Sequence, residues 1–386
     1  MVMDARSREA DVTIPVYGQL PFVPESASGC EILTQDGRRI LDFYGGHAVA
    51  ALGYAHAGLV EAISKQSKKL LFQSNAVALD IRAEAAEKLT GVAPHGLDRV
   101  FFVNSGAEAN ENALRIACMT TGRKKVLAVS HGFHGRTAAA AAVTWNSDRW
   151  YGFPSKPFAV NFIPRDDVDA AMDMIGDDIA AVIFEPVQGI AGAYDLSGDF
   201  LRALRIQTEK YGALLIADEV QCGMGRCGEF FAIQLHDIEP DILTSAKALG
   251  GGIPCGAVLC THDIAANLGI GDLGSTFGGG PIAAAAIVAT IDAIKNEGLL
   301  ENVRSCELAI REQCITGPVM RIQGKGLLLG LVCDREAAGV RNSLLEQNIL
   351  TGSSSDPNVL RILAPLVLQK KHIEQFAAAL QNVASG

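Results

Sequence analysis

Between residues 55 and 290, short unbroken apolar runs alternate with stretches in which apolar residues recur every three or four positions. The runs are RVFFVN from Arg99, VLAV from Val126, IAAVIF from Ile179, ALLIAD from Ala213, DILTS from Asp241 and GAVLC from Gly256. Continuous apolar runs of this length suit strands buried on both faces of a mostly parallel sheet. Residues 199–211 show what lies between them. Asp199 is placed to cap a helix, Phe200, Leu201 and Leu204 share one face, and Gly212 closes the end. Residues 80–89 and 107–121 carry the same pattern. The alternation predicts an α/β domain whose ligands gather at the carboxyl ends of the strands.

The flanks differ. Residues 13–50 hold short, turn-rich extended pieces, and residues 290–386 mix helical stretches with the runs LLLGLV after Gly326 and VLRIL from Val359. We therefore expect a large domain over 55–290 and a smaller α+β domain built from 1–54 and 291–386. The longest uncharged run, 273–291, is nominally long enough to span a bilayer. Its first half reads LGSTFGGGP, too rich in Gly and Pro for a spanning helix, so a loop and a buried Ala-rich helix are expected.

Composition narrows the field. In 386 residues, 49% are hydrophobic and 20% charged, an ordinary globular balance. A net charge of -10 disfavours a nucleic-acid binder that relies on phosphate contacts. It leaves room for small anionic ligands at locally positive sites. Residues 1–11 carry Asp4, Arg6, Arg8, Glu9 and Asp11 without an apolar segment, so no secretory signal is expected. Nine cysteines show no CxxC or Cys/His cluster, which argues against zinc and for small apolar fillers in a reducing compartment, the cytoplasm. No metal site is expected.

The strand ends carry the chemistry. NSGAEANE (104–111) follows RVFFV and opens a helix, with Ser105 and Gly106 at a close turn. Such a helix start suits a phosphate, although a plain N-cap explains it equally. HGFHGRT (131–137) follows VLAVS and offers the flat ring of Phe133 and the carboxylate fork of Arg136. His131 and His134 have no third metal ligand nearby and read as hydrogen-bonded histidines. Asp218 and Glu219 end ALLIA and, as neighbours on a strand, should face opposite ways with different duties. Glu185 in EPVQG ends the preceding strand. These acids are also compatible with a paired-carboxylate hydrolase or a magnesium site.

Lys247, at the end of DILTSA and before ALGGG, decides among them. A lysine held in a dry site near other cations loses its proton more readily, giving the free amine that condenses with an aldehyde. With a phosphate loop, a flat aromatic and an acid at a neighbouring strand end, the consistent cofactor is pyridoxal phosphate. Lys247 would bind its aldehyde, and Asp218 would keep its ring nitrogen protonated.

The ordered set NSGAEANE, FHGRT, EPVQG, DEVQCGMGR, SAKALGGG and STFGGGP resembles the class III aminotransferases that use pyridoxal phosphate. Within them it most resembles the acylornithine aminotransferases of arginine biosynthesis, from Pro15 to about Ala379. The resemblance implies a fold-type I subunit with a mostly parallel seven-stranded sheet, and a homodimer with shared active sites. It also implies residue roles. Ser105, Gly106 and Ala107 cradle the phosphate, with Ser275 and Thr276 contributing and Thr276 arriving from the partner subunit. Phe133 and Val220 pack on the two ring faces, Asp218 meets the ring nitrogen, Gln221 the phenolic oxygen, and Lys247 the aldehyde. Arg136 matches the arginine for the donor's distal carboxylate, and Arg361 the one for the α-carboxylate of glutamate or 2-oxoglutarate.

Three departures stand out. Ornithine-type relatives carry Glu after EPxQG, paired with the arginine that corresponds to Arg361; here that position is Ile190. The usual GGN is Gly278, Gly279 and Gly280, and GHxHP has become Gly53-Tyr-Ala-His-Ala57. His47 in GGHAV and the run TGSSS (351–355) resemble an acylornithine subgroup that also lacks the gate glutamate; this is compatible with a place for His47 at the substrate entrance, and a structural histidine explains it equally. The expected reaction moves the δ-amino group of N-acetylornithine or N-succinylornithine to 2-oxoglutarate. The alternatives are another class III enzyme acting on ornithine, 4-aminobutyrate or a diamine, or a non-catalytic cofactor-binding scaffold.

Overall fold

The computed structural model describes residues 5–383. Asp4, first of the amino-terminal charges, lies outside the described residues. Seven strands form the central sheet: β1 (Arg99–Val103), β2 (Lys125–Val129), β3 (Ala159–Ile163), β4 (Ile179–Phe184), β5 (Leu214–Asp218), β6 (Ile242–Ser245) and β7 (Gly256–Cys260). Their spatial order is β1-β7-β6-β5-β4-β2-β3. Only β7 runs against its neighbours; β6, β5, β4, β2 and β3 are mutually parallel.

All six apolar runs are strands, and β3 is the one the pattern did not show. It lies at the sheet's edge, where alternate residues stay exposed or half-exposed, and Asn161 interrupts its apolar character. An edge strand alternates instead of running continuously apolar. Within the sheet both faces are covered. Leu127 and Val129 of β2 join one core, whereas Val126 and Ala128 join the other.

The helix α1 (Gly106–Thr121) brings Ala109, Ala113, Leu114 and Ala117 to the second core. A short alanine helix, α2 (Ala138–Ala142), follows β2. The helix α3 (Gly198–Tyr211) brings Phe200, Leu201 and Leu204 to the first core, each contributing on the order of 1.5–3 kcal/mol by burial. Its cap corrects the sequence expectation. Ser197, not Asp199, accepts the Phe200 amide, at 3.3 Å, and Asp199 lies in the first turn, where its charge favours the helix dipole. Gly212 closes α3 in the left-handed conformation as expected (φ 64°).

The uncharged run resolves into a loop and the helix α4 (Pro281–Asn296), most of whose alanines and isoleucines are buried. Among the described residues no helix is long and apolar enough to cross a membrane. The nine cysteines are free, and all but Cys118 are buried. The strands Pro24–Ser28, Glu31–Thr34 and Arg39–Asp42 form a second sheet, completed by Ile349–Leu350 from the far end of the chain. A third sheet joins Val319–Lys325, Leu328–Cys333 and Val359–Ile362, and its last strand carries Arg361.

Candidate active site

The carboxyl end of β5 is the most tightly specified place in the molecule. Asp218 is 2% exposed. Its Oδ2 accepts from Asn110 Nδ2 and from His134 Nδ1, each at 2.7 Å, and its Oδ1 accepts the Val220 amide at 3.0 Å. Asn110 reaches it from α1, donates also to the His134 carbonyl at 2.7 Å, and accepts from Thr244 Oγ1 of β6 at 2.7 Å. Three elements thus hold one carboxylate by a connected network, and such networks fix a single geometry when every member is satisfied. One atom in it is left over: His134 Nε2 is buried with no partner.

Glu219 faces the other way, as strand alternation requires. Its carboxylate accepts the amides of Ala232 (2.9 Å) and Ile233 (2.7 Å) and the Cys222 thiol (3.1 Å). Burial raises its pKa to about 7. It ties the chain after β5 to the turn at 232–236, and it is structural. Glu185 accepts the Phe133 amide at 2.8 Å and the Gly189 amide at 3.1 Å, so the acid after β4 positions the aromatic residue. Burial first, and then the charge of Asp218, raise its pKa.

Lys247 starts the turn after β6 with φ 48°, a left-handed conformation that costs a non-glycine residue energy and occurs at functional sites. Burial lowers its pKa, with Arg361 adding to the shift, while Asp218 and Glu185 oppose it. The amine therefore sits among two acids and an arginine.

At the start of α1, Ser105 accepts the Glu108 amide at 3.2 Å, and among the described residues the amides of Gly106 and Ala107 have no acceptor. Gly106 is needed for space, because a Cβ there would run into Val220. Gly135, at φ 134°, is needed likewise, since a Cβ would come within 2.8 Å of the Ala107 side chain. The start of α1, Val220 and the FHGRT loop are thereby packed together.

Arg361 is 2% exposed, and no carboxylate of the described residues pairs with it. Its Nε donates to the Ser353 carbonyl and its Nη1 to Gln221 Oε1 at 3.1 Å. The Ile190 carbonyl accepts the Ser355 amide (2.8 Å) and hydroxyl (3.1 Å), so the position of the missing gate is bound by its backbone to the turn that holds Arg361. Gly45, Gly46, His47 and Ala48 all have positive φ, a short left-handed turn that presents His47 to solvent. His47 is hydrogen-bonded to the Tyr44 hydroxyl, and the Tyr44 ring packs on Gly352 beside Arg361. Burial, then Arg361 and Lys247, lower the His47 pKa, which places the imidazole within electrostatic reach of both.

The structure thus brings Ser105, Gly106, Ala107, Phe133, Asp218, Val220, Gln221, Lys247, Arg361 and His47 to one side of the sheet. Arg136, Ser275 and Thr276 have surroundings of their own. Arg136 is exposed and stacks on Trp150. Ser275 Oγ accepts from Asn104 Nδ2 at 3.2 Å and from the Gly278 amide at 3.0 Å. Thr276 is exposed and makes no hydrogen bond among the described residues. His131 departs from expectation: it is exposed, its ring tilted against Trp145 at 5.2 Å, and it makes no hydrogen bond among the described residues. The altered GHxHP has new duties too. Tyr54 donates to the buried Asp42 at 2.6 Å, and His56 caps the helix Ala57–Lys69.

Sequence reasoning missed Asn110, Thr244, Tyr44 and Trp150. Asn110 had a signal, being a polar residue among the buried positions of α1.

The residues fit pyridoxal phosphate. Two unpaired amides at a helix start suit a phosphate, the glycine at 106 lets Val220 pack against that start, and a buried amine and a fixed carboxylate end adjacent strands. No group of His, Cys, Asp and Glu among the described residues is arranged to hold a metal ion.

Comparison with known proteins agrees with this geometry. Over 384 residues the chain is 38% identical to the acetylornithine aminotransferase of Methanocaldococcus jannaschii, covering 96% of this chain and 95% of that protein. The acetylornithine aminotransferase structure from Elizabethkingia anophelis superposes with a TM-score of 0.87 at 30% identity, over 98% of this chain and 97% of that one. The ornithine aminotransferase of Toxoplasma gondii ME49 gives 0.92 at 26% identity, over 98% and 93%. The family pattern of aminotransferase class-III matches residues 14–384. The chain belongs to the class III aminotransferases, and its cofactor is pyridoxal phosphate.

Proposed function

We propose that this aminotransferase moves the δ-amino group of N-acetylornithine, or of N-succinylornithine, to 2-oxoglutarate, giving the N-acyl-glutamate semialdehyde and glutamate in arginine biosynthesis. The observation that carries the choice is Arg361. It is buried without a carboxylate partner, and in ornithine-type relatives the matching arginine is paired with a gate glutamate. An arginine left open suits substrates that need no such screen. The similarity to acetylornithine aminotransferases at 38% identity supports the same donor.

When bound, pyridoxal phosphate supplies an electron sink for the carbon that exchanges its proton. The chain's own residues do the rest. Ser105 and the free amides of Gly106 and Ala107 hold the phosphate, and Phe133 and Val220 enclose the ring. Asp218, immobilised by Asn110 and His134, presents a fixed negative group to the ring nitrogen. Preorganised charge of this kind is the largest single contribution in many enzymes. Lys247 Nζ, whose proton affinity burial has weakened, would carry away the proton lost by the donor's δ-carbon and, in the second half-reaction, supply the one gained by the α-carbon of the keto acid. Gln221 uses its Oε1 for Arg361 and keeps its amide to donate to the phenolic oxygen. Arg361 takes the α-carboxylate of glutamate or 2-oxoglutarate, Arg136 the carboxylate of the acylated donor, and His47 lines the entrance.

The proposal extends to assembly and place. A homodimer, with Ser275 and Thr276 reaching the partner's phosphate, is supported by the exposure of Thr276 and by the neighbouring pair Phe72 and Phe277, 43% and 64% exposed and in contact at 5.2 Å. The domains are 55–290 and the combined 1–54 and 291–386, supported by the parallel pairing of Leu41 with Ile349. A cytoplasmic setting is supported by nine unpaired cysteines.

Steady-state kinetics with N-acetylornithine, N-succinylornithine and ornithine, each with 2-oxoglutarate, test the reaction. An acyl donor should exceed ornithine in kcat/KM by at least about 10²-fold, the scale on which a pocket separates substrates that differ by a small group. Equal or better use of free ornithine would sink the proposal.

A further inference from the structure

The arginine assigned to the donor's carboxylate is fixed at both ends of its residue but not at its charge. Before it, Gly135 admits no side chain. After it, Thr137 Oγ1 donates to Glu111 Oε2 at 2.6 Å, and the same oxygen accepts the amides of Ala139 (2.9 Å) and Ala140 (3.1 Å). The side chain itself is exposed and enters no ion pair among the described residues. What it does meet is an aromatic face: the guanidinium carbon lies 4.5 Å from the centroid of the Trp150 ring.

Trp150 is not a loose surface ring. It follows the turn Ser147–Arg149, and the next residue, Tyr151, donates its hydroxyl to the Ala138 carbonyl at 3.0 Å. Tyr151 and Trp150 pack on Ala141 and Ala142, so the alanine run of α2 is the small-residue floor on which this loop rests. The segment that carries Arg136 and the loop that carries Trp150 are braced against the same helix.

The directions of the two interactions matter. Guanidinium groups characteristically stack flat on an aromatic face, whereas a carboxylate binds along the guanidinium's edge, in the plane, through two parallel N–H donors. A braced ring at 4.5 Å from the guanidinium carbon can therefore restrain Arg136 and leave its edge donors to a substrate. We infer that Trp150 is a positioning residue that sets the guanidinium of Arg136 for the carboxylate of the amino donor. The inference rests on the role given to Arg136 under the proposed function.

The chain has two tryptophans, Trp145 and Trp150. Trp145 packs on His131 and Phe162. In a W145F holoenzyme the indole signal is that of Trp150 alone, and glutarate, an unreactive dicarboxylate, serves as the probe. Titration should change Trp150 fluorescence in step with the cofactor's absorbance, and R136A should abolish the fluorescence response. W150A should weaken glutarate binding and raise KM for the donor about two- to fivefold, the worth of an exposed cation–π contact. Its kcat should stay within about twofold, and W150F should recover most of the loss because it keeps a ring face. An unchanged glutarate affinity in W150A, or a silent Trp150 while the cofactor absorbance reports saturation, overturns the inference. Failure of the wild type to use N-acetylornithine would instead overturn the proposed reaction, and the glutarate result would stand apart from it.

Discussion

Asp218 and Arg361 are both 2% exposed, and the chain treats their charges in opposite ways. Asp218 is surrounded by donors from α1, from the FHGRT loop and from its own turn. Arg361 has one carbonyl and one amide oxygen, and no carboxylate. Arg136 is left still more open. A buried charge without an opposite partner is costly, and a protein keeps one where something arriving from outside completes it. The contrast separates two kinds of site residue. The charge proposed to serve a resident cofactor, Asp218, is fully partnered within the chain, and those proposed to serve a transient substrate, Arg361 and Arg136, are left short.

The largest effect should come from the resident side. K247A removes the amine that moves the proton, and kcat should fall by roughly 10²–10⁴-fold. Borohydride reduction of the wild type followed by peptide mapping should place the cofactor on Lys247. Recovery of it on another lysine would refute the assignment.

A smaller loss is expected one step back. In N110A, Asp218 loses a donor, and Thr244 Oγ1 and the His134 carbonyl lose a partner each. Leaving such buried groups unsatisfied costs about 1–3 kcal/mol each, so the melting temperature should drop by several degrees, and kcat should fall with it. An N110A protein as stable as wild type would show that the network is not holding Asp218.

The same contrast governs what could be read from the sequence. The central strands were legible because burial on both faces makes a continuous apolar run, as in IAAVIF of β4, where every residue is buried. The edge strand β3 was not, because one-sided exposure breaks the run. Lys247, Asp218 and the helix start at Ser105 were legible since each couples a strand end to an unusual residue type. Asn110 and Thr244 lay one shell deeper, where a single polar residue inside an apolar helix or strand does not say which atom it meets. Trp150 and Tyr44 depend on how loops fold back, through a brace on α2 in one case and a left-handed turn in the other, and no local spacing encodes that. The capping error at Asp199 has the same origin: Ser197 and Asp199 are both good capping residues, and only the path of the chain into α3 selects between them.

On the substrate side, supplying the missing partner is the sharper test. The Ile190 backbone is bonded to Ser355, two residues from the carbonyl that holds Arg361. In I190E a carboxylate enters that neighbourhood and competes with the α-carboxylate of 2-oxoglutarate. KM for 2-oxoglutarate should rise about tenfold, equivalent to some 1.4 kcal/mol, with kcat much less affected. The half-reaction with the acylated donor, which does not place a carboxylate on Arg361, should change least. Loss of the donor half-reaction alone would reverse the assignment of the two arginines.

The smallest expected effect belongs to His47, and its sign follows from its surroundings. Burial, Arg361 and Lys247 all disfavour its protonated form, so its pKa in the folded chain lies below the usual 6.5. The unfolded chain then binds more protons near and below pH 6.5. Any contribution of His47 to stability is complete above that pH and declines as the pH falls through the lowered value. An anion on Arg361 offsets the field that depresses His47, raises its pKa, and is accompanied by proton uptake. Binding of 2-oxoglutarate should therefore tighten modestly as the pH drops from 7.5 toward 5.5, by about twofold, because His47 is solvent-exposed and its coupling is screened. H47N keeps a polar side chain at this left-handed position and removes the titration. Its KM for 2-oxoglutarate should be flat over the same range, whereas a wild-type slope that persists in H47N would assign the proton to another group.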